Sequence, residues 1–564
     1  MTTQDRHSAW WRSAVIYQIY VRSFADSDGD GIGDLPGITA RLPHVADLGA
    51  DAVWLTPFYP SPMRDGGYDV ADHRDIDPRF GTLADADQLL ARAHALGLRV
   101  IIDIVPNHTS DQHVWFQEAL AAPPGSPARA RYVFRDGRGD GGTEPPTDWQ
   151  SVFGGPAWTR VPDGQWYLHL FDSTQPDLDW NHPEVVAEFH DILRFWLDRG
   201  VEGFRFDVAH GMAKDLAEPL RDLGPDQVHH RIVGDGWHGK HPFWDRDEVH
   251  DLLRGFRGVV DAYEPPRVTV AESWAALDRR GQYVRPDELH QAFNFDFLGT
   301  DWQGAALRAT IDRSLALADE VGATPTWVLS NHDVVRHASR LALPPDTDIE
   351  AWLRSGGTEP HVPPALAARR ARAAALLLLA LPGATYLYQG EELGLPEVAD
   401  LPDEALRDPV RLRSSGVRKG RDGCRVPIPW ERTGPSYGFG PADPWLPQPP
   451  SFAALSVQAQ CPDPTSTLTL YREAITQRRA LVTPDTELTW QSAEADHVLD
   501  FTVGSLRCIT NPSPEPALLP VVASGPPSLT SLPLPARARL LPPDATAWYR
   551  LDGAEPGEEG EPGG

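Results

Sequence analysis

Eight short runs of β-branched and aromatic residues alternate with amphipathic helical stretches along this chain, and that alternation admits few folds. The runs are residues 17–21, 52–55, 99–105, 201–206, 268–272, 291–295, 327–330 and 384–388. Repeated βα units build a parallel sheet, and eight of them predict an α/β fold, a closed (β/α)8 barrel. The intervening helices are cued by their ends. The stretch 183–199 follows Asn181, opens on Pro183 and Glu184, and stops at Gly200.

Two segments do not fit the alternation. Residues 109–182 are too long for one βα connection and are rich in Gly, Pro and Trp, so they read as a domain inserted after the third strand and overhanging the barrel mouth. The barrel then occupies 1–108 and 183–482. Short strands with proline-rich turns follow over 483–552 and predict a C-terminal all-β domain, and the Gly/Glu/Pro tail 553–564 cannot bury a core and is expected to be disordered.

The chain carries 51 basic and 80 acidic residues, a formal charge of −29. Such a surface excludes nucleic acid and anionic membranes as natural partners. Three cysteines, Cys424, Cys461 and Cys508, lack the number for a disulfide framework and the spacing for a zinc site. No basic and apolar leader opens the sequence, and the most apolar stretch, 373–381, is far below the ~20 residues that span a bilayer. A cytoplasmic protein without a membrane helix is the expectation.

Polar residues gather where the runs end. Asp103 is followed by Asn107 and His108, the fourth run closes on Arg205 and Asp207, the fifth on Glu272, and the seventh on His332 and Asp333. C-terminal strand ends converge on one barrel face, so carboxylates distant in sequence should share one pocket. Arg205 and Asp207 are two apart on a strand and point to the same side, and a guanidinium there should keep Asp207 ionised, as a nucleophile requires. Glu272 ends an apolar strand, where burial favours a retained proton. One ionised and one protonated carboxyl is the division of labour in glycoside hydrolysis.

The motifs 103–108 (DIVPNH), 203–207 (GFRFD), Glu272 after its strand, and 331–333 (NHD) resemble the four signature regions of the α-amylase superfamily, glycoside hydrolase family 13. Trp10-Trp11, 67–70 (GYDV), 175–180 (QPDLDW), 390–392 (GEE) and 420–427 (GRDGCRVP) are similar to the α-glucosidase and oligo-1,6-glucosidase branch. The resemblance covers about residues 10–550 and includes an inserted domain and a C-terminal β domain. It implies retaining, exo-acting hydrolysis of terminal α-1,4- or α-1,6-linked glucose from short oligosaccharides, without an organic cofactor. The alternative on the same scaffold is a transglucosylase or a sugar isomerase of the trehalose- or isomaltulose-forming type. By the same resemblance Asp207 is the nucleophile, Glu272 the acid/base and Asp333 the third carboxylate, while Asp65, Tyr68, His108, Arg205, His332 and Arg421 bind the terminal glucose. Between Arg421 and Arg425 for that last contact the sequence does not choose.

The loop Asp26, Asp28, Asp30, Ile32, Asp34 offers side-chain oxygens and one carbonyl at every second position, a calcium-loop spacing with Gly31 at the turn. The glutamate that would close an EF-hand is replaced by Gly37, so a structural Ca2+ (or Mg2+) remote from chemistry is the expectation. In α-amylases the residue matching Asn107 helps hold a second calcium, and a Lys-His pair follows the nucleophile. Here the pair is His210-Gly211, which argues against that second metal. His210 reads equally as a packed residue or a substrate contact, Cys424 as a packed thiol, and Trp149, Trp158, Trp166 and Trp180 as packing with sugar stacking as the less common role. The connection 336–364 is expected to rim the pocket.

Overall fold

The computed structural model describes residues 9–224, 238–483, 485–491, 497–519, 526–535 and 538–551. The tail 553–564 lies outside the described residues.

Eight parallel strands form the central sheet: β1 (Val15–Ile19), β2 (Ala52–Leu55) and β3 (Arg99–Ile104) precede the insertion. The insertion carries a helix, Val114–Ala121, and three short strands, β4 (Phe134–Asp136), β5 (Trp158–Arg160) and β6 (Gln165–Leu168), paired antiparallel in the order β4–β6–β5. The barrel resumes with β7 (Gly203–Phe206), β8 (Val268–Ala271), β9 (Gln291–Ala292), β10 (Thr326–Val328) and β11 (Ala384–Tyr388). Hydrogen-bonded neighbours run β10–β11–β1–β2–β3–β7–β8–β9, all parallel. The seam between β9 and β10 is crossed by the Thr326 hydroxyl, which donates to the Ala292 carbonyl.

The sixth and seventh strands end before the sequence pattern predicts. The sixth run ends at Ala292, because Asn294 caps a short helix, Phe295–Gly299, by accepting from the Phe297 N–H. The seventh ends at Val328 rather than Ser330, so His332 and Asp333 stand on the loop beyond β10 and not at its last residue.

The outer helices follow capping chemistry. Thr82 and Asp85 form a reciprocal capping box at the start of Leu83–Ala95. The helix Pro183–Asp198 is capped by His182, whose Nδ1 accepts from the Glu184 N–H, and Gly200 beyond it takes φ +103°. The helix Pro364–Ala380 buries its whole apolar end, 373–380, against the barrel.

Seven strands follow: β12 (Leu488–Trp490), β13 (Leu499–Val503), β14 (Leu506–Asn511), β15 (Ala517–Leu518), β16 (Leu529–Thr530), β17 (Leu540–Leu541) and β18 (Ala545–Arg550). Five of them form an antiparallel sheet, β12–β13–β14–β18–β16, and β15 pairs with β17. Trp548 and Thr546 of β18 donate to the carbonyls of Leu376 and Ala373, so this domain is fastened through its buried strand to the helix Pro364–Ala380 that precedes the last barrel strand. No helix among the described residues is long and apolar enough to cross a membrane.

Candidate active site

The site is built around one guanidinium. Arg205 of β7 projects to the barrel axis, where its Nη1 lies 2.6 Å from Asp207 Oδ1 and 3.2 Å from Asp103 Oδ1, and its Nη2 lies 3.1 Å from Glu272 Oε2. Asp207 follows β7 directly and Glu272 follows β8, so adjacent parallel strands deliver the two carboxylates to the same cation. Asp103 is held by the Tyr68 hydroxyl at 2.8 Å and the Trp54 indole N–H at 3.2 Å. All three acids are buried.

Three carboxylates face one buried cation, and the charge does not balance. Burial raises Asp207 well above the usual carboxylate range; Arg205 opposes this, and the charges of Glu272, Asp103 and Asp333 add to it. Arg205 favours the ionised form, as expected, but burial and the neighbouring carboxylates outweigh it. The negative charge of Glu272 nearby is one of the causes that hold the Asp207 proton more tightly than on an isolated carboxyl. Asp103 is pushed up to about 6, chiefly by burial against the pull of Arg205.

Glu272 is fixed from two further directions. The Trp274 indole N–H donates to Oε1 at 2.8 Å, and the Val208 backbone N–H donates to Oε2 at 2.9 Å. Val208 takes φ +47°, ψ 41°, a left-handed conformation that costs a β-branched residue of order 1–3 kcal/mol. That turn of the backbone aims its amide at the glutamate.

Opposite stands Asp333. Its Oδ1 accepts from Arg421 Nη1 at 2.9 Å and from Arg425 Nη2 at 2.8 Å. The two arginines divide the work. Arg425 lies beneath, over the Tyr20 ring and donating to the His332 carbonyl, whereas Arg421 lines the open cavity and also pairs with Asp65 at 2.8 Å. Of the two, Arg421 is the one that lines the cavity. Burial pushes Asp65 up to about 6 despite Arg421.

His332 is sandwiched between the rings of Tyr68 (5.3 Å, 5° between planes) and Tyr20 (5.6 Å, 18°). Gln18 Nε2 donates to its Nδ1 at 2.7 Å, which leaves the proton on Nε2, 3.7 Å from Asp333 Oδ2. His108 Nε2 lies 3.0 Å from Gln175 Nε2, and Gln175 donates to Asp65 at 3.2 Å. Burial pulls both histidines down to about 3, so each is a neutral ring at neutral pH. All nine residues assigned by resemblance to catalysis and glucose binding therefore belong to one connected cluster.

Sequence reasoning missed Asp408 and Lys214. Asp408 grips Arg421 and follows no motif; only its place before a proline as a helix cap distinguishes it. Lys214 Nζ lies 2.8 Å from Asn107 Oδ1, 3.0 Å from Asp177 Oδ2 and 3.0 Å from the Gly211 carbonyl, between barrel and insertion. An ammonium occupies the junction where α-amylases use a calcium. His210 stacks on Trp244 at 5.0 Å, and Trp149, Trp158 and Trp180 are buried with their indole N–H groups on Arg221, Thr147 and Pro106; half-buried Trp166 donates to the Gly142 carbonyl. The buried Trp149, Trp158 and Trp180 pack the interior. Cys424 is buried, with its thiol on the carbonyls of His332 and Arg421.

The acidic loop lies apart from this cluster. Asp26, Asp28 and Asp34 bring carboxylate oxygens within 4.8 Å of one another. Asp30 lies outside that group, and its Oδ1 accepts from the Ile32 N–H at 2.8 Å. Asp34 also caps the helix Leu35–Leu48 by accepting from the Gly37 N–H, and burial, with the charge of Asp28 adding, raises it.

A cavity of about 650 Å3 opens above Asp333 and Arg421. Its wall comes from the insertion (150–154), from 241–244, from the connection after β10 (334–353) and from 410–424.

A barrel whose strand ends place two acids on one arginine, with a third acid at an open cavity, fits a glycosidase of the (β/α)8 class. The chain belongs to the α-amylase family: the family model for the alpha amylase catalytic domain matches residues 18–484. It is 43% identical over 483 residues to a probable alpha-glucosidase of Rhizobium meliloti, covering 84% of this chain and 83% of the relative. It is 35% identical to the oligo-1,6-glucosidase of Parageobacillus thermoglucosidasius, covering 83% and 84%. Among solved structures it is similar to the alpha-glucosyl transfer enzyme XgtA, with a TM-score of 0.80 at 38% identity over 96% of this chain and 99% of that one.

Proposed function

We propose that this protein is a retaining, exo-acting α-glucosidase that removes terminal α-1,4- or α-1,6-linked glucose from short oligosaccharides. The observation that carries the reading is the attachment of Asp207 and Glu272 to the same Arg205 guanidinium, with Asp333 and Arg421 closing the far side.

In the first step Asp207 attacks the anomeric carbon while a proton passes from Glu272 to the leaving oxygen. The glycosidic bond breaks and an ester to Asp207 forms. Water, deprotonated by Glu272, then cleaves the ester and returns the proton. Asp333, Asp65 and Arg421 grip hydroxyls of the terminal glucose, and their mutual ion pairs fix the depth to which one sugar can enter. The insertion and the connection after β10 wall the mouth, which supports exo action on short chains. Directly after the nucleophile stands Val208, where the resembling branch carries valine with α-1,6 and threonine with α-1,4 preference; a methyl for a hydroxyl shifts selectivity by about 1–3 kcal/mol, so both linkages are accepted.

We also assign a structural divalent cation to Asp26, Asp28 and Asp34, with Asp30 and the Ile32 carbonyl available to complete the shell. It takes no part in the chemistry. Kinetics on maltose, isomaltose and soluble starch, with the anomer of released glucose followed by NMR, test the reading. Release of α-glucose from both disaccharides is expected; internal cutting of starch, seen as a fall in viscosity before glucose appears, overturns it. Transfer of glucose to a second sugar as the main outcome would instead favour the transglucosylase, a reading that likeness to XgtA keeps open.

A further inference from the structure

Among the described residues three N–H groups meet the side chain of Glu272, and they divide unevenly between its oxygens. Oε2 accepts from the Val208 amide at 2.9 Å and lies 3.1 Å from Arg205 Nη2, whereas Oε1 accepts from the Trp274 indole N–H at 2.8 Å. Two donors fill the two lone pairs of Oε2, so the proton of the acid form sits on Oε1, the oxygen that the indole also bonds. Both partners are held. The Glu272 main chain is pinned on two sides, its N–H donating to the Phe206 carbonyl and its own carbonyl accepting from the Ala209 N–H. The indole lies on the ring of Phe295, 4.0 Å between centroids and 13° between planes, and Phe295 opens the helix Phe295–Gly299 that Asn294 caps.

An N–H bonded to a carboxylate oxygen holds roughly twice as strongly as one bonded to a neutral oxygen. While Oε1 carries the proton, the indole bonds a neutral carboxyl. As that proton passes to the leaving oxygen, negative charge grows on the same Oε1 and the bond tightens. A bond stronger in the transition state than in the ground state lowers the barrier. Building on the glucosidase reading, we infer that Trp274 is a positioning residue that strengthens Glu272 as the acid by stabilising the charge that proton transfer leaves on Oε1. Arg205 meets the other oxygen, and its charge is divided among Glu272, Asp207 and Asp103. The step balances: the proton leaves Oε1 for the glycosidic oxygen, the bond from that oxygen to the anomeric carbon breaks, and the ester to Asp207 forms. Water that later cleaves the ester returns a proton to Oε1.

The choice of leaving group tests this on the full chain. A disaccharide leaving group needs the Glu272 proton, whereas fluoride departs from α-glucosyl fluoride without one, and both substrates present the same glucose to Asp333 and Arg421. Because kcat/KM ends at the first bond cleavage, the later activation of water does not enter it. Trp274→Phe keeps a ring on Phe295 and removes the N–H. It should lower kcat/KM for the better of maltose and isomaltose by about 10–100-fold and leave that for α-glucosyl fluoride nearly unchanged. Both constants come from one preparation, so a partly folded sample lowers them together and the disaccharide-to-fluoride ratio survives. If that variant does not fold, Phe295→Leu, which removes the ring beneath the indole, should lower the ratio in the same direction. A ratio that does not fall overturns the inference and leaves the glucosidase standing. A wild type inert on maltose and isomaltose overturns the glucosidase reading, and this inference with it.

Discussion

Asp408 holds Arg421 from two sides of its carboxylate. Oδ2 accepts from the Arg421 backbone N–H at 2.6 Å and from Nε at 2.7 Å, while Oδ1 accepts from Nη2 at 3.0 Å. Gly420 makes the approach possible. At φ +88° it adopts a conformation that L side chains avoid, and a Cβ there would stand 2.7 Å from Asp408 Cβ. The guanidinium is thereby aimed before substrate arrives.

Asp408→Asn should therefore raise KM for maltose and isomaltose far more than it lowers kcat, because it loosens a residue that binds the sugar rather than one that reacts. The same change should destabilise the fold by roughly 2 kcal/mol at pH 7. Arg421 pulls Asp408 down to about 2, so the ionised acid stabilises the fold above its unfolded value near 3.8. That contribution is lost as pH falls through about 2, and wild type and variant should converge there in urea unfolding. Equal stability of the two at pH 7 would contradict the pairing.

Removal of either reacting acid should be far more costly. Asp207→Asn keeps the shape but cannot form the ester, and Glu272→Gln cannot move the proton; each should lose about 10³-fold or more in kcat with unchanged melting. For Glu272→Ala, added azide should restore turnover and yield a glucosyl azide of retained configuration. Product of inverted configuration from that variant would remove Asp207 as nucleophile.

The acid limb of kcat/KM in the free enzyme should lie near pH 6. Asp65 and Asp103, both raised to about 6, bind protons below that value, and each then loses attraction for its arginine and for sugar hydroxyls. The sign for stability is opposite. A carboxyl raised in the fold takes up its proton more readily there than in the unfolded chain, so stability falls as pH rises from about 4 to about 6. A pH profile and thermal melts over pH 4–8 should thus move in opposite directions, and an activity limb near pH 4 would refute the assignment.

Chelation tests the acidic loop. Added EDTA should lower the melting temperature and leave kcat on maltose at low temperature unchanged, and Asp28→Asn should abolish the difference. Unchanged melting with no copurifying ion would reduce Asp26, Asp28 and Asp34 to an acidic turn.

The barrel was legible because apolar runs lead into clusters of charged residues, as in Arg205 and Asp207 after Gly203-Phe204, and because β2 and β11 are bounded by turn residues at both sides. The sixth strand was legible only in part, since Phe293 and Phe295 are as apolar as strand residues and the Asn294 cap that ends it is a single side-chain contact. The sign of the Asp207 shift could not be read from its arginine neighbour, because it depends first on burial and then on Glu272, Asp103 and Asp333 arriving from other strands and loops. Asp408 was invisible for the same reason: its partner lies 13 residues away along an irregular loop.

Lys214 changes how the insertion is joined to the barrel. A bound ion at such a joint is in exchange with the medium and departs when its free concentration drops, whereas an ammonium on the chain has no such exit. Its hold on Asn107 and Asp177 is set when the polypeptide folds and does not vary with the supply of any solute. The wall of the substrate pocket supplied by the insertion is thus anchored by a covalently leashed cation, and its cohesion should be indifferent to dilution and dialysis.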